Sequence, residues 1–213
     1  MPNTLKNSME GLFITFEGVE GCGKTTQAKL LYEFLIQKNI ECVLTHEPGG
    51  TRISEKIREI LLDKENGEMV YLTELFLYLA SRSQHTFEKI IPSLKSGKVV
   101  ICDRYFDSTL AYQGEGRNIP KQKVIEINNF ATGGLIPHLT FLIDIDVEKG
   151  IERVKERKGF DRMESQNTDF HKRVRGSFLS LARENKERFR IIDGSKPIEQ
   201  IHKEIVNIVL NFI

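Results

Sequence analysis

The sequence has little excess charge of either sign, because its 31 Lys and Arg residues nearly balance its 30 Asp and Glu residues, for a net charge of +1. Without a strong positive field, nothing attracts the whole chain to nucleic acid or to an anionic membrane surface. No apolar run approaches the roughly 18 residues that a membrane-spanning helix needs. We therefore expect no nucleic-acid partner and no membrane association.

Cysteine is scarce and scattered. The three cysteines, Cys22, Cys42 and Cys102, do not have the spacing of metal ligands. Cys42 and Cys102 lie in apolar, strand-like runs, where a small buried hydrophobic residue is the ordinary interpretation. An odd count without a signal-peptide pattern indicates a reducing compartment, so the expected location is the cytoplasm.

The chain has no internal repeat and no low-complexity linker. Its 213 residues, of which 39% are hydrophobic, are enough for one substantial core. We therefore predict a single domain over residues 1–213, within which residues 1–10 are a polar and flexible N-terminal segment.

Short apolar runs alternate with longer amphipathic stretches. The short runs predict five strands, at residues 12–16, 41–45, 99–102, 139–143 and 189–192. The longer stretches predict helices, among them residues 27–35, 54–62 and 72–94. This alternation predicts an α/β fold, with a five-stranded parallel sheet and helices on both faces. Ligands of such sheets bind at the carboxyl ends of the strands, where we expect the site.

The segment after the first predicted strand matches G-x-x-x-x-G-K-[ST], the phosphate-binding loop of the P-loop NTPase fold. Glycines let backbone N–H groups surround the phosphates, Lys24 reaches the β and γ oxygens, and the Thr25 hydroxyl is placed for Mg²⁺. A strand before the motif and a helix after it are the context that the motif requires. The predicted nucleotide-binding residues are Gly18, Val19, Glu20, Gly21, Cys22, Gly23, Lys24, Thr25 and Thr26.

Arginines are natural partners for a second anionic substrate, because a guanidinium binds phosphate through two hydrogen bonds. The candidates are Arg58, Arg82 and Arg104. Each alone is more often a solvated surface charge, except that Arg104 directly follows a predicted strand and Asp103. Asp103 itself suits a carboxylate near Mg²⁺ that acts through water, although a strand-end cap is the alternative interpretation.

Four segments have the order and spacing of segments in the bacterial thymidylate kinases: THEPGGT at residues 45–51, DRY at 103–105, STLAYQG at 108–114 and DRME at 161–164. Many families share the phosphate loop, whereas EPGGT together with DRY and AYQG is far more specific. From about Gly11 to its C-terminus the chain resembles a bacterial thymidylate kinase, of the P-loop nucleoside monophosphate kinase-like family. It departs at His46, where that family usually has Arg, so no phosphate contact is carried over to this position.

The resemblance implies an acceptor site for dTMP. Glu20 would lie near the deoxyribose 3′-hydroxyl, and Pro48 would line the site after a peptide bond that is free to be cis. Tyr78 would stack on the thymine ring, with a role in the helix core as the alternative. Arg82 and Arg104 would hold the acceptor phosphate.

The resemblance also implies a wall that reads the pyrimidine and its sugar edge, formed by residues after the third strand. The same stretch is also explained as a helix start capped by Ser108 or Asp107, and both interpretations can hold together. The full implied dTMP-binding set is Glu20, Pro48, Arg58, Tyr78, Arg82, Arg104, Ser108, Thr109, Tyr112 and Gln113.

Residues 151–166 mix basic and acidic side chains, a pattern that usually marks a solvated helix face. Residues 158–160 interrupt the helix, which resembles the mobile lid that closes over ATP in the family. The phosphate loop carries no arginine here, so the lid would supply the basic groups. Arg153 and Arg157 are the residues expected at the phosphates, with Arg162 next.

The resemblance therefore implies phosphorylation of dTMP to dTDP with Mg-ATP as donor, a step of dTTP biosynthesis. Lys24, Arg153, Arg157 and Arg104 would be the catalytic residues, and Mg²⁺ would be held by Thr25 and, through water, by Asp103. It further implies a homodimer, formed through long helices such as that at residues 72–94.

Two alternatives remain open on sequence grounds. One is a kinase for another nucleoside monophosphate or for a deoxynucleoside, although the latter would need a carboxylate base to deprotonate its hydroxyl. The other is a non-catalytic nucleotide switch. The N-K-x-D segment that usually reads guanine is absent from the sequence, which argues against a guanine-nucleotide switch.

Overall fold

The computed structural model describes residues 11–156 and 161–213. The predicted flexible segment at residues 1–10, the predicted catalytic Arg157 and the predicted lid break at residues 158–160 lie outside the described residues.

A parallel five-stranded sheet forms the centre of the described chain, with the strand order β2-β3-β1-β4-β5. Its strands are β1 (Phe13–Glu17), β2 (Cys42–His46), β3 (Val99–Asp103), β4 (Leu139–Asp144) and β5 (Phe189–Asp193). In register, Ile14 of β1 lies beside Ile101 of β3 on one side and Leu139 of β4 on the other. The predicted fold class is confirmed.

Helices connect the strands. They are α1 (Lys24–Gln37), α2 (Arg52–Leu62), α3 (Tyr71–His85), α4 (Ile91–Lys95), α5 (Phe106–Thr109), α6 (Lys121–Thr132), α7 (Val147–Lys155), α8 (Thr168–Glu184) and α9 (Ile198–Val209). A π-helical turn at Thr86–Ile90 joins α3 to α4, and a second one at Leu110–Gly116 continues α5. The predicted helix at residues 72–94 is thus one helical path with a change of pitch inside it.

The apolar strands explain the layered packing, because successive side chains of a strand point to opposite faces of the sheet. Ile14 of β1 belongs to one buried cluster with Leu31 and Leu35 of α1. Its neighbour Phe13 belongs to another, with Ile90 and Leu94. Both faces of the sheet are therefore covered.

Every strand ends at its carboxyl terminus in a polar residue: Glu17, His46, Asp103, Asp144 or Asp193. Because the strands are parallel, these residues reach the same edge of the sheet. In residues 11–156 and 161–213, every helix is too short or too polar to cross a bilayer.

Candidate active site

A cavity of about 630 Å³ is lined by residues at or after the carboxyl ends of β1, β2 and β3. Its volume is in the range of small-molecule sites. It brings together most of the predicted site residues: Glu20, Gly21, Gly23, Lys24, Thr25, Thr26, Pro48, Arg58, Tyr78, Arg82, Asp103, Arg104, Ser108, Thr109, Tyr112 and Gln113. Gly18, Val19 and Cys22 are buried within the loop, and Arg153 lies apart from the cavity wall.

The phosphate loop joins β1 to α1 through backbone conformations that need glycine. Gly18 has φ of 143°, Gly21 has 71° and Gly23, which precedes the first residue of α1, has 97°. A Cβ atom on Gly21 would lie 2.1 Å from the carbonyl oxygen of Gly150 in α7, so no larger residue fits. The loop therefore ends on the N-terminus of α1, where N–H groups and the helix dipole favour an anion.

Lys24 is the first residue of α1 and is only 7% exposed. Its Nζ donates to the carbonyl oxygen of Val19 at 3.4 Å and lies 3.6 Å from Glu20 Oε2. Both contacts are long for a charged donor, since such bonds are usually near 2.8 Å. The ammonium group is thus held at the cavity by weak contacts that phosphate oxygens can replace.

The residues predicted to hold Mg²⁺ lie side by side. The Thr25 hydroxyl donates to Asp103 Oδ2. The other carboxylate oxygen, Oδ1, is buried and has no hydrogen-bond partner within the part of the chain that the structure describes. Mg²⁺ and its bound waters prefer oxygen ligands, and an unpartnered carboxylate oxygen beside a hydroxyl fits such an ion.

Glu20 and Arg104 form an ion pair inside the cavity. Arg104 Nη2 donates to Glu20 Oε1 at 2.7 Å, and the Tyr112 hydroxyl donates to the same oxygen at 2.9 Å. Burial alone would raise the pKa of Glu20, but the charges of Arg104 and Lys24 outweigh it and lower this pKa to about 2. Glu20 is therefore a carboxylate at neutral pH and an acceptor for a substrate hydroxyl.

All four Nη hydrogens of Arg104 already have partners. Besides Glu20, they are Gly18 O and Ser108 Oγ, both at 3.0 Å, and the Tyr112 oxygen at 3.1 Å. The guanidinium lies between the phosphate loop and the predicted pyrimidine wall. A two-bond contact to a phosphate is open to it only when one of these partners is displaced.

Arg82 is 2% exposed and makes several contacts within the protein. Its Nε donates to Glu47 Oε2 at 2.7 Å. Its Nη groups donate to Thr109 Oγ1 at 2.6 Å, Asn128 Oδ1 at 2.7 Å and Tyr105 O at 3.1 Å. Only one of the five N–H groups of an arginine is then left. Arg104 likewise has four partnered N–H groups, so this geometry does not distinguish the two arginines, and the phosphate contact of Arg82 stays a prediction.

The EPGGT segment is fixed to α3 by buried polar groups. His85 Nδ1 lies 3.0 Å from Glu47 Oε1, and its Nε2 lies 2.7 Å from Thr45 Oγ1. Burial opposes ionisation of Glu47, but Arg82 and His85 outweigh it and lower the pKa of this carboxyl group. The Glu47–Pro48 peptide bond is cis. Glu47 thus holds the segment as a buried anion.

Among Arg58, Arg82 and Arg104, Arg58 of α2 has the most N–H groups without a partner in the described residues. Its Nη1 donates to Pro48 O at 2.7 Å, and the described part of the chain supplies no other partner. Beside it in the cavity wall, His46 lies 3.0 Å from Glu55 Oε1, and burial together with the Arg58 charge lowers the pKa of its imidazole. Arg58 therefore suits a phosphate better than Arg82 does.

The predicted pyrimidine wall lies in α5 and the π-helical turn after it. Gln113 Nε2 donates to Glu74 Oε1 at 2.8 Å, which fixes its side chain. Tyr78 of α3 also lines the cavity and is half-buried, and burial raises the pKa of its hydroxyl, which stays neutral. A neutral aromatic residue facing fixed polar groups suits a planar, polar-edged ring.

The capping prediction for this segment is wrong. Helix α5 begins at Phe106 without a side-chain cap. Asp107 instead accepts two hydrogen bonds from Arg188, at 2.7 and 2.8 Å, and Ser108 Oγ donates to Glu17 Oε2 at 2.6 Å. Both side chains turn into the protein because buried partners are available there.

Comparisons with known proteins agree on one family. The family model described as thymidylate kinase matches residues 16–205. The thymidylate kinase of Carboxydothermus hydrogenoformans is 53% identical over 197 residues, which cover 92% of this chain and 96% of that protein. The chain belongs to the thymidylate kinase family.

Further thymidylate kinases show the same extent of similarity. That of Sulfurihydrogenibium sp. is 50% identical over 199 residues, covering 92% of this chain and 96% of that protein. The crystal structure of thymidylate kinase from Ehrlichia chaffeensis superimposes with a TM-score of 0.77 at 36% identity, covering 94% of this chain and 98% of that chain. The predicted membership of the family is confirmed.

The lid that the thymidylate kinase resemblance implies is described on both sides of its break. On the α7 side, Arg153 Nη1 lies 3.4 Å from Gly21 O in the phosphate loop and 3.4 Å from Gly194 O after β5. Arg153 is exposed, and among the described residues its one other contact joins Nη2 to Gly194 O at 3.5 Å, so its guanidinium lies near the loop that is predicted to hold the nucleotide.

On the other side of the break, Arg162 is buried. Its Nε donates to Leu61 O at 2.8 Å, and its Nη1 donates to Glu74 Oε2 at 2.7 Å. These contacts anchor the C-terminal end of the predicted lid to α2 and α3. The Nη2 of Arg162 is buried and has no hydrogen-bond partner among the described residues, and a phosphate contact of Arg162 stays a prediction.

Glu74 is fully buried and joins three segments of the fold. It accepts hydrogen bonds from Gln113, from Arg162 and from Arg117 at 3.1 and 3.2 Å. Replacing it by Ala leaves two buried arginines without their shared anion. We expect Glu74→Ala to lower the free energy of unfolding by about 3–5 kcal/mol in a urea titration.

Glu184 provides the matched control, since it pairs with Lys121 where both side chains are about half exposed. Exposed pairs contribute about 0–1 kcal/mol, so Glu184→Ala should change the stability little. Equal losses for Glu74→Ala and Glu184→Ala would show that the buried network does not stabilise the fold.

The sequence analysis did not predict roles for the buried acids Glu17, Glu47 and Glu74 or for the buried His85. Their hydrogen bonds fix the side chains and loops that line the cavity. One signal was available for two of them. Glu17 ends an apolar strand run, and Glu74 lies in a helix whose other side chains are largely apolar. A charged residue within an apolar element needs a buried partner, and here each has one.

Proposed function

We propose that this thymidylate kinase transfers a phosphoryl group from Mg-ATP to the phosphate of dTMP and forms dTDP. Phosphorylation of dTMP is the reaction of the family to which the chain belongs. The observation that carries the proposal is one cavity with a phosphate loop on one wall and arginines and an aromatic residue on the other. Such a cavity suits two phosphorylated substrates placed end to end.

On the acceptor side, Arg58 and Arg104 are the groups proposed to bind the dTMP phosphate. Arg58 has unused N–H groups, and Arg104 can exchange one partner for a phosphate oxygen. The ionised Glu20 is placed to accept from the deoxyribose 3′-hydroxyl. Arg82 is retained as a further proposed partner of this phosphate, through its remaining N–H group or by exchange of a present partner.

The base is proposed to lie between Tyr78 and the wall that contains Ser108, Thr109, Tyr112 and Gln113, with Pro48 closing the site. An aromatic face suits a pyrimidine ring, because offset stacking contributes beyond the area that it buries. Polar groups that are already fixed by internal hydrogen bonds discriminate well, since a mismatched base would leave them unpaired.

On the donor side, the phosphates of ATP are proposed to lie in the loop at residues 18–26, with Lys24 and Arg153 beside them. Arg157 is retained as a proposed catalytic residue through the family resemblance. Thr25 and, through water, Asp103 would hold Mg²⁺, which when bound neutralises phosphate charge and orients the oxygens.

The proposed transfer needs no strong base in the protein. The acceptor phosphate is mostly a dianion at pH 7, because its second pKa is about 6. Its oxygen attacks the γ-phosphorus in line, and the bond to the leaving ADP oxygen breaks. The protein's part is to align the substrates and to place Lys24 and the arginines where charge develops. Closure of residues 151–166 would exclude water, which otherwise competes as acceptor.

The test is ADP release from Mg-ATP in parallel reactions with dTMP, dUMP, dCMP, dGMP, AMP or thymidine. We expect strong acceleration by dTMP and weaker acceleration by dUMP, which lacks the thymine methyl group. Strong acceleration by another acceptor would keep a kinase and reject the proposed pyrimidine site. Slow release that no acceptor changes would favour the nucleotide switch.

We also propose a cytoplasmic homodimer. Its support is an exposed apolar surface on the neighbouring helices α3 and α6, where Leu72 is 57%, Phe76 60% and Phe130 91% exposed. Contiguous apolar surface of this kind usually marks an interface. The three free cysteines fit a reducing compartment. Sedimentation equilibrium should give twice the mass of one chain, and a single-chain mass at micromolar concentration would reject the dimer.

A further inference from the structure

Glu17 is a fully buried acid for which the proposed reaction has no direct use. It ends β1, immediately before the phosphate loop, and is 0% exposed. Its Oε1 accepts from the backbone N–H of Tyr105 at 2.8 Å, and its Oε2 accepts from Ser108 Oγ at 2.6 Å. Tyr105 lies in the turn that follows β3, and Ser108 lies in α5 directly after that turn.

This turn presents Arg104, and it does so in an unfavourable backbone conformation. Arg104 has φ of 71°, a left-handed value that residues with a side chain rarely adopt. Around it, the Arg104 N–H donates to Phe16 O at 2.9 Å and Cys102 Sγ donates to Arg104 O at 3.0 Å. Non-glycine residues stay in this region only when surrounding contacts hold them there.

Glu17 supports both ends of Arg104. Through the Tyr105 N–H it fixes the backbone just after the left-handed residue. Through Ser108 it reaches the guanidinium, because Ser108 Oγ also accepts from Arg104 Nη1 at 3.0 Å. One buried side chain therefore determines where the backbone turns and where the guanidinium lies.

The surroundings of Glu17 disfavour its charge. Asp107 faces it and is ion-paired with Arg188, and Arg104 is ion-paired with Glu20. Burial, and after it the charge of Asp107, raise the pKa of Glu17 to about 8. The charge of Arg104 opposes this shift but does not cancel it. A neutral carboxyl group keeps both contacts, since Oε1 still accepts from the Tyr105 amide and the protonated Oε2 donates to Ser108 Oγ instead of accepting from it.

We propose that Glu17, as a neutral carboxylic acid, is a positioning residue that holds Arg104 in the conformation that binds the acceptor phosphate. The inference rests on the proposed function, because it assigns that phosphate contact to Arg104. Ionised Glu17 would be repelled by Asp107 and would attract the guanidinium away from the cavity. Glutamine reproduces the neutral form, because its carbonyl oxygen accepts from Tyr105 and its amide donates to Ser108.

The experiment compares the wild type with Glu17→Gln and Glu17→Ala in steady-state kinetics, varying dTMP and ATP separately. Glu17→Ala should raise KM for dTMP about 10- to 100-fold, because a small displacement of a binding group has effects of this size. KM for ATP should change less than about twofold. Glu17→Gln should stay close to the wild type at pH 7.

Two pH measurements separate positioning from a merely structural role. The groups that face Glu17 are Asp107, Arg104 and the Cys102 thiol, whose pKa burial raises well above its usual range. For the wild type, kcat/KM for dTMP should fall as the pH rises through about 8. Glu17→Gln should lack this fall, since an amide has no proton to lose.

The second measurement needs no substrate, so it is independent of the proposed function. The pKa of Glu17 is higher in the folded state than in the unfolded chain, so above pH 4.5 the unfolded chain loses this proton while the folded protein keeps it. The free energy of unfolding therefore falls as the pH rises above 4.5. Urea titrations should show the wild type losing stability relative to Glu17→Gln between pH 5 and pH 8.

The outcomes are distinct. An unchanged KM for dTMP in folded Glu17→Ala, or an alkaline fall that persists in Glu17→Gln, would overturn the proposal. So would a stability difference that does not change with pH. If Glu17→Ala does not fold, the pH profile of kcat/KM and the pH dependence of stability in Glu17→Gln still test the proposal. A wild type that ignores dTMP would reject the proposed function while the pH dependence of unfolding still reports on Glu17.

Discussion

Lys24→Ala should lower kcat by about 10³-fold, which corresponds to about 4 kcal/mol of transition-state stabilisation. Lys24 is the only cation at the start of α1, and its Nζ is held by contacts of 3.4 and 3.6 Å that phosphate oxygens can replace. Removing the ammonium group leaves the charge that develops on the transferred phosphoryl group without the cation that is proposed to stabilise it. Single-turnover measurement of dTDP formation reports the change directly.

The fold should survive this substitution, because the Lys24 side chain makes no short hydrogen bond. Circular dichroism and the urea midpoint of Lys24→Ala should match the wild type to within about 1 kcal/mol. Lys38→Ala is the matched control, since Lys38 is exposed just after the same helix. Unchanged turnover in Lys24→Ala would reject its assigned role.

The fold was predictable from the sequence because its strands are short apolar runs. The predicted and observed strands differ mainly at their carboxyl ends, where each observed strand includes one more residue, such as Glu17 or Asp103. Apolar periodicity stops at the first polar side chain, whereas the hydrogen-bond ladder continues until the backbone turns. The site lies at the carboxyl ends of the strands, so the apolar pattern predicted the end of each strand one residue before the observed end.

The phosphate loop was predictable because local sequence determines it. Three residues of this short segment have positive φ values, which glycine adopts without strain, and the motif specifies glycine at two of these positions. The cavity does gather this loop with the segments that carry the family resemblance. Membership of a family thus predicted which residues lie together.

The division of labour among the arginines was not predictable. Arg82 and Arg58 look alike in sequence, but Arg82 faces the buried Glu47, whereas Arg58 contacts only a carbonyl oxygen. Which arginine neutralises a buried acid depends on contacts between distant segments. The same holds for Asp107, which looked like a helix cap and instead pairs with Arg188, 81 residues away.

Arg104→Ala should raise KM for dTMP and lower kcat together, reducing kcat/KM for dTMP by about 10³-fold or more while KM for ATP changes little. A phosphate that loses a charged, two-bond partner loses binding, and the remaining substrate is also misaligned for transfer. Arg104→Lys should recover only part of the loss, because an ammonium group cannot reproduce the planar fork. Arg183→Ala, at an exposed position of α8, is the control.

A second effect of Arg104→Ala distinguishes its electrostatic role from simple loss of contact. The Arg104 charge is the foremost of those that lower the pKa of Glu20, against the opposing effect of burial. Without this charge, the pKa of Glu20 should rise. On acidification, Glu20 would then become protonated at a higher pH than in the wild type, and it could no longer accept from the 3′-hydroxyl as a carboxylate. The acid limb of kcat/KM for dTMP should therefore move to higher pH in Arg104→Ala and not in Arg183→Ala. An acid limb that stays in place, with the loss of activity confined to KM, would mean that Arg104 contacts the substrate without controlling the charge of Glu20.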